Sequence, residues 1–396
     1  MRYQVPSHST SMNSVTPFVV TSVSDYNKLV TDFGCTPMTQ ALFDRFEKLT
    51  KTTVPIGYRN FVISHRDFGK VLDSIEKHEP VYLYTGRGPS SDRMHLGHLV
   101  PFQFCQFLQT ALKVPVVIQL TDDEKFIFKE DLTLDIIAQM VVENVKDIIA
   151  CGFDPSTTFI FTNTGFIGAM YSMVLKIQKL VNLHQVLNTF GFSVDGTSIG
   201  KIAFPAMQAA PAFAETFTTT LFKTAGGPAN VRKIRCLIPC AIDQDPYFRV
   251  CRDIAPRLKH HKPSVIHTKF LPGLEGTQTK MSSSKPESCI FLGDSAKQIR
   301  KKINKAFSGG QEFLDDHRRI GGDPNIDVAY CLLTFFAGDN CTQPFENFKS
   351  GVMSCGEMKS LAADTVIRNI SDFCDKRRAI TQETINAYFD ANKTLF

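Results

Sequence analysis

The chain has 396 residues, of which 43% are hydrophobic and 21% charged, with a formal net charge of +5; this is the balance of a globular protein long enough for two or three packed domains. Such a composition excludes a collagenous or low-complexity chain, and no apolar run approaches the eighteen or so residues that cross a bilayer. The eleven cysteines are scattered without a Cys-x-x-Cys, which points to a reducing compartment, no disulfides and no zinc site.

Residues 1–16 are Ser/Thr-rich and lack the apolar core of a secretion signal, so they read as a disordered N-terminus, and the cytosol is the expected location. An accessory layer over 17–80 follows. In it Thr36-Pro37 is expected to open a helix through about Leu49, with Thr36 as N-cap and Pro37 at the first helical position. A strand-like run from Tyr58 to Ser64 then leads into a helix from Asp67 to Lys77. From Val81 the chain alternates strand and helix. Val81-Tyr-Leu-Tyr-Thr is a buried-strand run, Gly86-Arg-Gly-Pro-Ser-Ser a tight turn, and about Met94 to Leu112 a helix. Val114–Leu120, Thr158–Thr162 and Cys236–Ile242 are further strands. Between them Leu134, Ile137, Val141, Val145, Ile148 and Ile149 stripe a helix capped by Thr133. The fold class is therefore α/β: a Rossmann-type parallel sheet over 81–290, covered on both faces, with a C-terminal α-helical domain over 291–396 and the N-terminal accessory segment. Sites in such sheets lie at the carboxyl ends of the strands, where Tyr84–Arg87, Gln119–Glu124 and Ile242–Asp245 would fall.

The Gly86–Ser91 turn between strand and helix is a mononucleotide-binding opening. Gly86 and Gly88 let a phosphate approach the backbone, and the helix start offers free N–H groups and a positive dipole end. His95 and His98, three apart around Gly97, share one face of the first helical turn. Much later, Gly276-Thr-Gln-Thr-Lys-Met-Ser-Ser-Ser-Lys-Pro286 is a polar loop around Lys280, which alone would be a plain surface turn. His-x-Gly-His followed by Lys-Met-Ser-x-Ser resembles the two signatures of class I aminoacyl-tRNA synthetases. Tyr84-Thr-Gly-Arg-Gly-Pro-Ser-Ser, Gln119-Leu-Thr-Asp-Asp-Glu-Lys, Phe204-Pro-Ala-Met-Gln-Ala-Ala-Pro and Ala241-Ile-Asp-Gln-Asp-Pro-Tyr-Phe are similar to blocks of the eukaryotic and archaeal tryptophanyl-tRNA synthetases. The similarity spans about Ser64 to Lys359.

The resemblance implies amino acid activation: attack of a substrate carboxylate on the α-phosphate of ATP, which needs positioning and charge stabilisation rather than a strong base. It implies ATP with Mg2+ as cofactor, L-tryptophan and tRNA(Trp) as partners, and a homodimer. ATP contacts are implied for Gly86, Arg87, Gly88, His95, Gly97, His98, Lys280, Met281, Ser282 and Ser284. Tyr84, Gln119, Gln208 and Gln244 match positions lining the amino acid. Indole offers one N–H donor and no acceptor, so its reader must be an acceptor, and Glu124 at a strand end suits that role. The general class I loop has a second lysine where this chain has Ser283; Lys125 is the expected substitute, with Lys285 second. Beside these motifs the basic stretch from Ala296 to Arg319, otherwise a solvated helix face, suits a tRNA backbone, and Lys359 matches an anticodon-side lysine. A tyrosyl enzyme of the same class and an inactive synthetase-like RNA-binding protein are the alternatives. His260 and His261, among cationic neighbours at a helix end, are expected to be solvated, and neither they nor His317 forms a metal site.

Overall fold

The β-branched and aromatic runs become the inner strands of one sheet, buried on both faces, while the two-residue strand at its edge is exposed. In the computed structural model, which describes residues 26–223 and 226–395, these are β1 Thr36–Pro37, β2 Val62–Arg66, β3 Val81–Arg87, β4 Val116–Leu120, β5 Thr158–Thr162, β6 Arg235–Ala241 and β7 Ser264–Thr268. They lie in the order β1-β2-β7-β6-β3-β4-β5. β7, β6, β3, β4 and β5 are mutually parallel, and β1 and β2 add an antiparallel edge. A separate two-stranded ribbon, β8 Pro272–Gly273 with β9 Gly276–Lys280, carries the Lys280 loop. The expected stretch over 1–16 lies outside the described residues.

Helices fill both faces. The N-terminal segment supplies α1 Tyr26–Asp32, α2 Gln40–Thr50, α3 Ile56–Phe61 and α4 Phe68–Glu76. The sheet crossovers supply α5 Leu96–Leu112, α6 Asp122–Phe128, α7 Leu134–Ala150, α8 Asn163–Leu180, α9 Leu183–Phe190, α10 Ile199–Ala209, α11 Pro228–Val231 and α12 Asp245–Ile254. Beyond the ribbon come α13 Ala296–Lys305, α14 Leu314–Ile320, α15 Val328–Phe336, α16 Thr342–Lys349, α17 Cys355–Arg378 and α18 Gln382–Phe389. Strand alternation sorts the core. Val81 and Leu83 of β3, Val116 and Ile118 of β4 and Ile160 of β5 join one apolar cluster. Tyr82, Tyr84, Val117, Phe159 and Phe161 join the other, under α8, α10 and α12. The first cluster runs on into Leu332, Met358, Val366 and Phe373, so the C-terminal helices share its core. Among the described residues no helix is long and apolar enough to cross a membrane.

Two expected elements are displaced. Thr36-Pro37 does not begin a helix; it pairs with β2 as an edge strand, where proline's missing N–H costs nothing. α2 starts three residues later, capped by Thr39, which accepts from Leu42 N. The run from Tyr58 is helical as far as Phe61, and only Val62 onward is strand.

Candidate active site

The parallel register aligns the ends of the central strands: Gly86 stands beside Gln119 and Arg87 beside Leu120. The carboxyl edge thus gathers the glycine turn, the start of α5, the Thr121–Lys125 segment and the Ile242–Gln244 turn.

His95 is the N-cap of α5. Its Nδ1 accepts from Gly97 N at 3.1 Å, and His98 Nδ1 accepts from His95 N at 3.5 Å, a reciprocal cap. With both Nδ1 atoms accepting, the ring protons sit on Nε2. The rings stack at 3.8 Å between centroids. Burial, reinforced by the Arg87 charge, pushes His95 down to about 4 and His98 well below its ordinary range. The pair is therefore neutral at pH 7 and can act as N–H donors, not as cations.

The two signatures meet. Leu96 N donates to Ile290 O at 3.0 Å and Leu292 N to Met94 O at 3.0 Å, zipping the segment after the Lys280 loop to the histidine segment. A side chain on Gly97 would meet the His95 ring at 2.9 Å and Met281 Cβ at 3.2 Å, so only glycine fits this contact. Met281 is buried while Lys280 is exposed, its ammonium 5.4 Å from the Phe270 ring. Ser282 and Ser284 hydroxyls bond each other at 2.8 Å.

Arg87 departs from the expectation of a guanidinium presented to phosphates from within the turn. Its side chain runs under the turn, where Nε donates to Asn144 Oδ1 and Nη2 is buried and unpaired. Burial lowers it to about 10. Lys125 and Glu124 instead lean over the turn. Lys125 Nζ donates to Glu124 Oε1 at 2.9 Å, Thr121 Oγ1 donates to Oε2 at 3.0 Å, and a Cβ on Gly88 would meet Lys125 Cε at 2.1 Å and Glu124 Oε2 at 2.6 Å.

Behind this pair lies a buried polar floor. Tyr84 Oη is 2.5 Å from Gln119 Oε1 and accepts from Gln208 Nε2 at 3.0 Å. Gln119 Nε2 donates to Asn163 Oδ1 at 2.7 Å and Met207 O at 3.1 Å. Phe248 meets the Tyr84 ring edge-on at 5.9 Å. Gln244 donates to Asp243 Oδ2 at 3.1 Å, leaving Asp243 Oδ1 buried and unpaired; burial raises this carboxyl to about 6. Asp245 anchors the turn from behind. Burial alone would raise it, but Arg66 on both oxygens and His267 hold it down to about 2.

Lys359 stands apart on α17, donating to Asn304 O at the end of α13 at 3.1 Å. Three of the cations between 296 and 319 are paired: Arg300 with Asp364, Lys302 with Asp294 and Arg319 with Asp316. His260 corrects its expected solvation. It is buried against Phe213, and its Nε2 lies 3.2 Å from Glu215, which Arg232 and Lys176 also hold. His317 is likewise buried, with Nε2 2.9 Å from Met353 O.

Asn144, Asp147, Asn163 and Asp243 were not among the expected residues. Asp243 sits inside a recognised block, and Asn144 lies on the apolar stripe of α7, where a buried amide signals a partner.

A parallel sheet whose carboxyl edge joins a capped histidine pair, a glycine turn and an exposed lysine loop defines a class of nucleotide-binding α/β enzyme. Residues 76–370 match the family of class I tRNA synthetases (W and Y), and the chain belongs to that family. It is 46% identical to the cytoplasmic tryptophan–tRNA ligase of Rattus norvegicus over 98% of this chain and 81% of that one. It is also 46% identical to the Schizosaccharomyces pombe cytoplasmic tryptophan–tRNA ligase, over 94% and 93% of the two chains. The solved tryptophanyl-tRNA synthetase of Encephalitozoon cuniculi bound to tryptophan superimposes with a TM-score of 0.86 at 39% identity, covering 94% of this chain and all of the other.

Proposed function

We propose that the chain activates L-tryptophan with ATP to tryptophanyl-adenylate and transfers the aminoacyl group to tRNA(Trp), as a tryptophan–tRNA ligase. The observation that carries this reading is the contact of Gly97 with Met281 beside an acceptor-rich floor: one nucleotide can touch both signatures while an indole lies next to it. The tryptophan carboxylate attacks the α-phosphorus; an O–P bond forms and the bond to pyrophosphate breaks. The tRNA terminal hydroxyl then attacks the activated carbonyl and expels AMP. The neutral His95 and His98 donate Nε2–H to phosphate oxygens, Gly86, Gly88 and Gly97 leave room for their approach, and Arg87 adds its charge from beneath. Lys280, carried in by Met281, Ser282 and Ser284, supplies a mobile cation, and Lys125 is the second. Mg2+ neutralises the phosphates when it arrives with ATP. Among the described residues the one group of ligand-type side chains, Cys35, Asp245 and His267, is engaged by Arg66 and so is unsuited to a resident ion.

Tyr84, Gln119, Gln208 and Gln244 line the amino acid pocket, and Glu124 accepts a donor of the substrate. Phenylalanine offers Glu124 no donor, and the exclusion of tyrosine, whose hydroxyl can still donate, rests partly on shape. The helices from 291 onward, with Lys359, take the anticodon side of the tRNA. A second copy of the chain covers Leu183 and Ile199, 48% and 85% exposed and lining an apolar groove of about 260 Å³, together with the exposed Tyr171 and Leu175 of α8. The cytoplasm is the proposed compartment, as for the rat and S. pombe relatives.

Amino acid-dependent ATP–pyrophosphate exchange tests the reading. Exchange should depend on tryptophan and be weak with tyrosine and phenylalanine; tyrosine at the same efficiency would overturn it. Because the chain holds no tryptophan, the fluorescence shift of added L-tryptophan reports binding without background.

A further inference from the structure

The glycine turn is short and, apart from the buried Arg87 and Pro89, built of small residues. Its position comes from below, from two side chains three residues apart on α7. Asn144 is fully buried. Its Oδ1 accepts from Arg87 Nε at one end of the turn, and its Nδ2 donates to Ser91 O at the other at 2.8 Å. The remaining amide proton goes to Met140 O at 2.8 Å, so the carboxamide is fully used. One turn along the helix, the buried Asp147 lies on the side of the backbone N–H of Met94, the residue before His95, and faces the Arg87 charge. The two side chains together hold the start of the turn, its end and the entry to α5.

The bracket is itself fastened from the C-terminal helices. Arg377, in the last turn of α17, donates Nε to Asp147 at 2.6 Å and Nη2 to Glu143, bridging two turns of α7. Cys374, one turn back, reaches Leu292 O at 3.3 Å, next to the strip zipped against His95. α17 thereby touches both the helix that braces the turn and the strip zipped to the entry of α5.

We propose that Asn144 and Asp147 are positioning residues for ATP, and that Arg377 couples the C-terminal helical layer to the nucleotide turn through them. This rests on the reading of the turn as the ATP site. Both α7 side chains act through the turn, not on the substrate. Removing Asn144 leaves Arg87 with a second unpaired buried nitrogen and frees Ser91, so the placement of the phosphates should suffer while the tryptophan pocket on the opposite face of the sheet should not.

The test is steady-state ATP–pyrophosphate exchange by the full-length enzyme. Asn144→Ala should raise KM for ATP about tenfold and leave KM for tryptophan within about twofold. Arg377→Lys keeps a cation on Asp147, so the fold is retained, but cannot bridge to Glu143 as well; it should give a smaller rise, again for ATP alone. ATP KM at the unaltered value in both variants, or ATP and tryptophan KM rising together, would overturn the proposal. Absence of tryptophan-dependent exchange in the unaltered enzyme would instead strike the functional reading on which it rests.

Discussion

Replacing His95 with asparagine separates the helix cap from the ionisation that the cap forbids. Asparagine is a favoured N-cap and can accept the Gly97 N–H as the imidazole Nδ1 does, yet it has no proton to gain in this range. In the native protein burial and the Arg87 charge bring His95 from 6.5 down to about 4. Between those values the unfolded chain binds a proton that the folded chain refuses. The contribution to stability is therefore fully present above pH 6.5 and is lost as the pH falls toward 4. A gap of about two and a half units at 1.36 kcal/mol each amounts to roughly 3 kcal/mol. Urea unfolding followed by circular dichroism at pH 7 and pH 4.5 measures it: unaltered protein should lose roughly 2 to 3 kcal/mol more than His95→Asn over that interval. Equal acid sensitivity in the two proteins would refute the assignment of a neutral, capping imidazole. The same neutrality predicts no histidine inflection in exchange activity between pH 6 and 8.

Lys125→Ala should slow tryptophan activation by about tenfold or more, read as kcat in pyrophosphate exchange, and an unchanged rate removes Lys125 as the second loop cation. Glu124→Gln keeps the shape but weakens the acceptor, so tryptophan KM should rise and discrimination against phenylalanine fall by about tenfold; intact discrimination moves the reader to the Tyr84–Gln119 floor. Gly88→Ala places a methyl where the Lys125–Glu124 pair now lies. Because the clash falls on the ends of flexible side chains, the thermal midpoint should stay near that of the unaltered protein while exchange falls about tenfold, and unchanged exchange would show that the pair need not lean over the turn.

The sheet was legible because its strands are short apolar runs with turn residues at their ends, and the glycine turn, histidine pair and lysine loop because each is a local pattern. The side on which Arg87 lies follows from the strand's own pattern: counting by twos from Val81 and Leu83 sets it on the α7 face, away from Tyr84. Thr36 and Thr39 offer equally good caps, and only pairing with β2 decides between them. The partner that buries His260 is Glu215, on a different part of the chain, so nothing near residue 260 foretold it. The bracket under the turn was invisible for the same cause, since Asn144, Ser91 and Arg377 are joined only once the helices have packed.

The order of strands dictates when the enzyme can become competent during synthesis. β3 sits between β4, which follows it closely, and β6, which begins only at Arg235. As the chain leaves the ribosome, one flank of the central strand stays open until roughly 150 more residues have been made, with its amides and carbonyls bare on that side. A break in translation before residue 241 would leave that edge unpaired, and an open edge of this kind pairs with other chains rather than giving an enzyme of reduced activity.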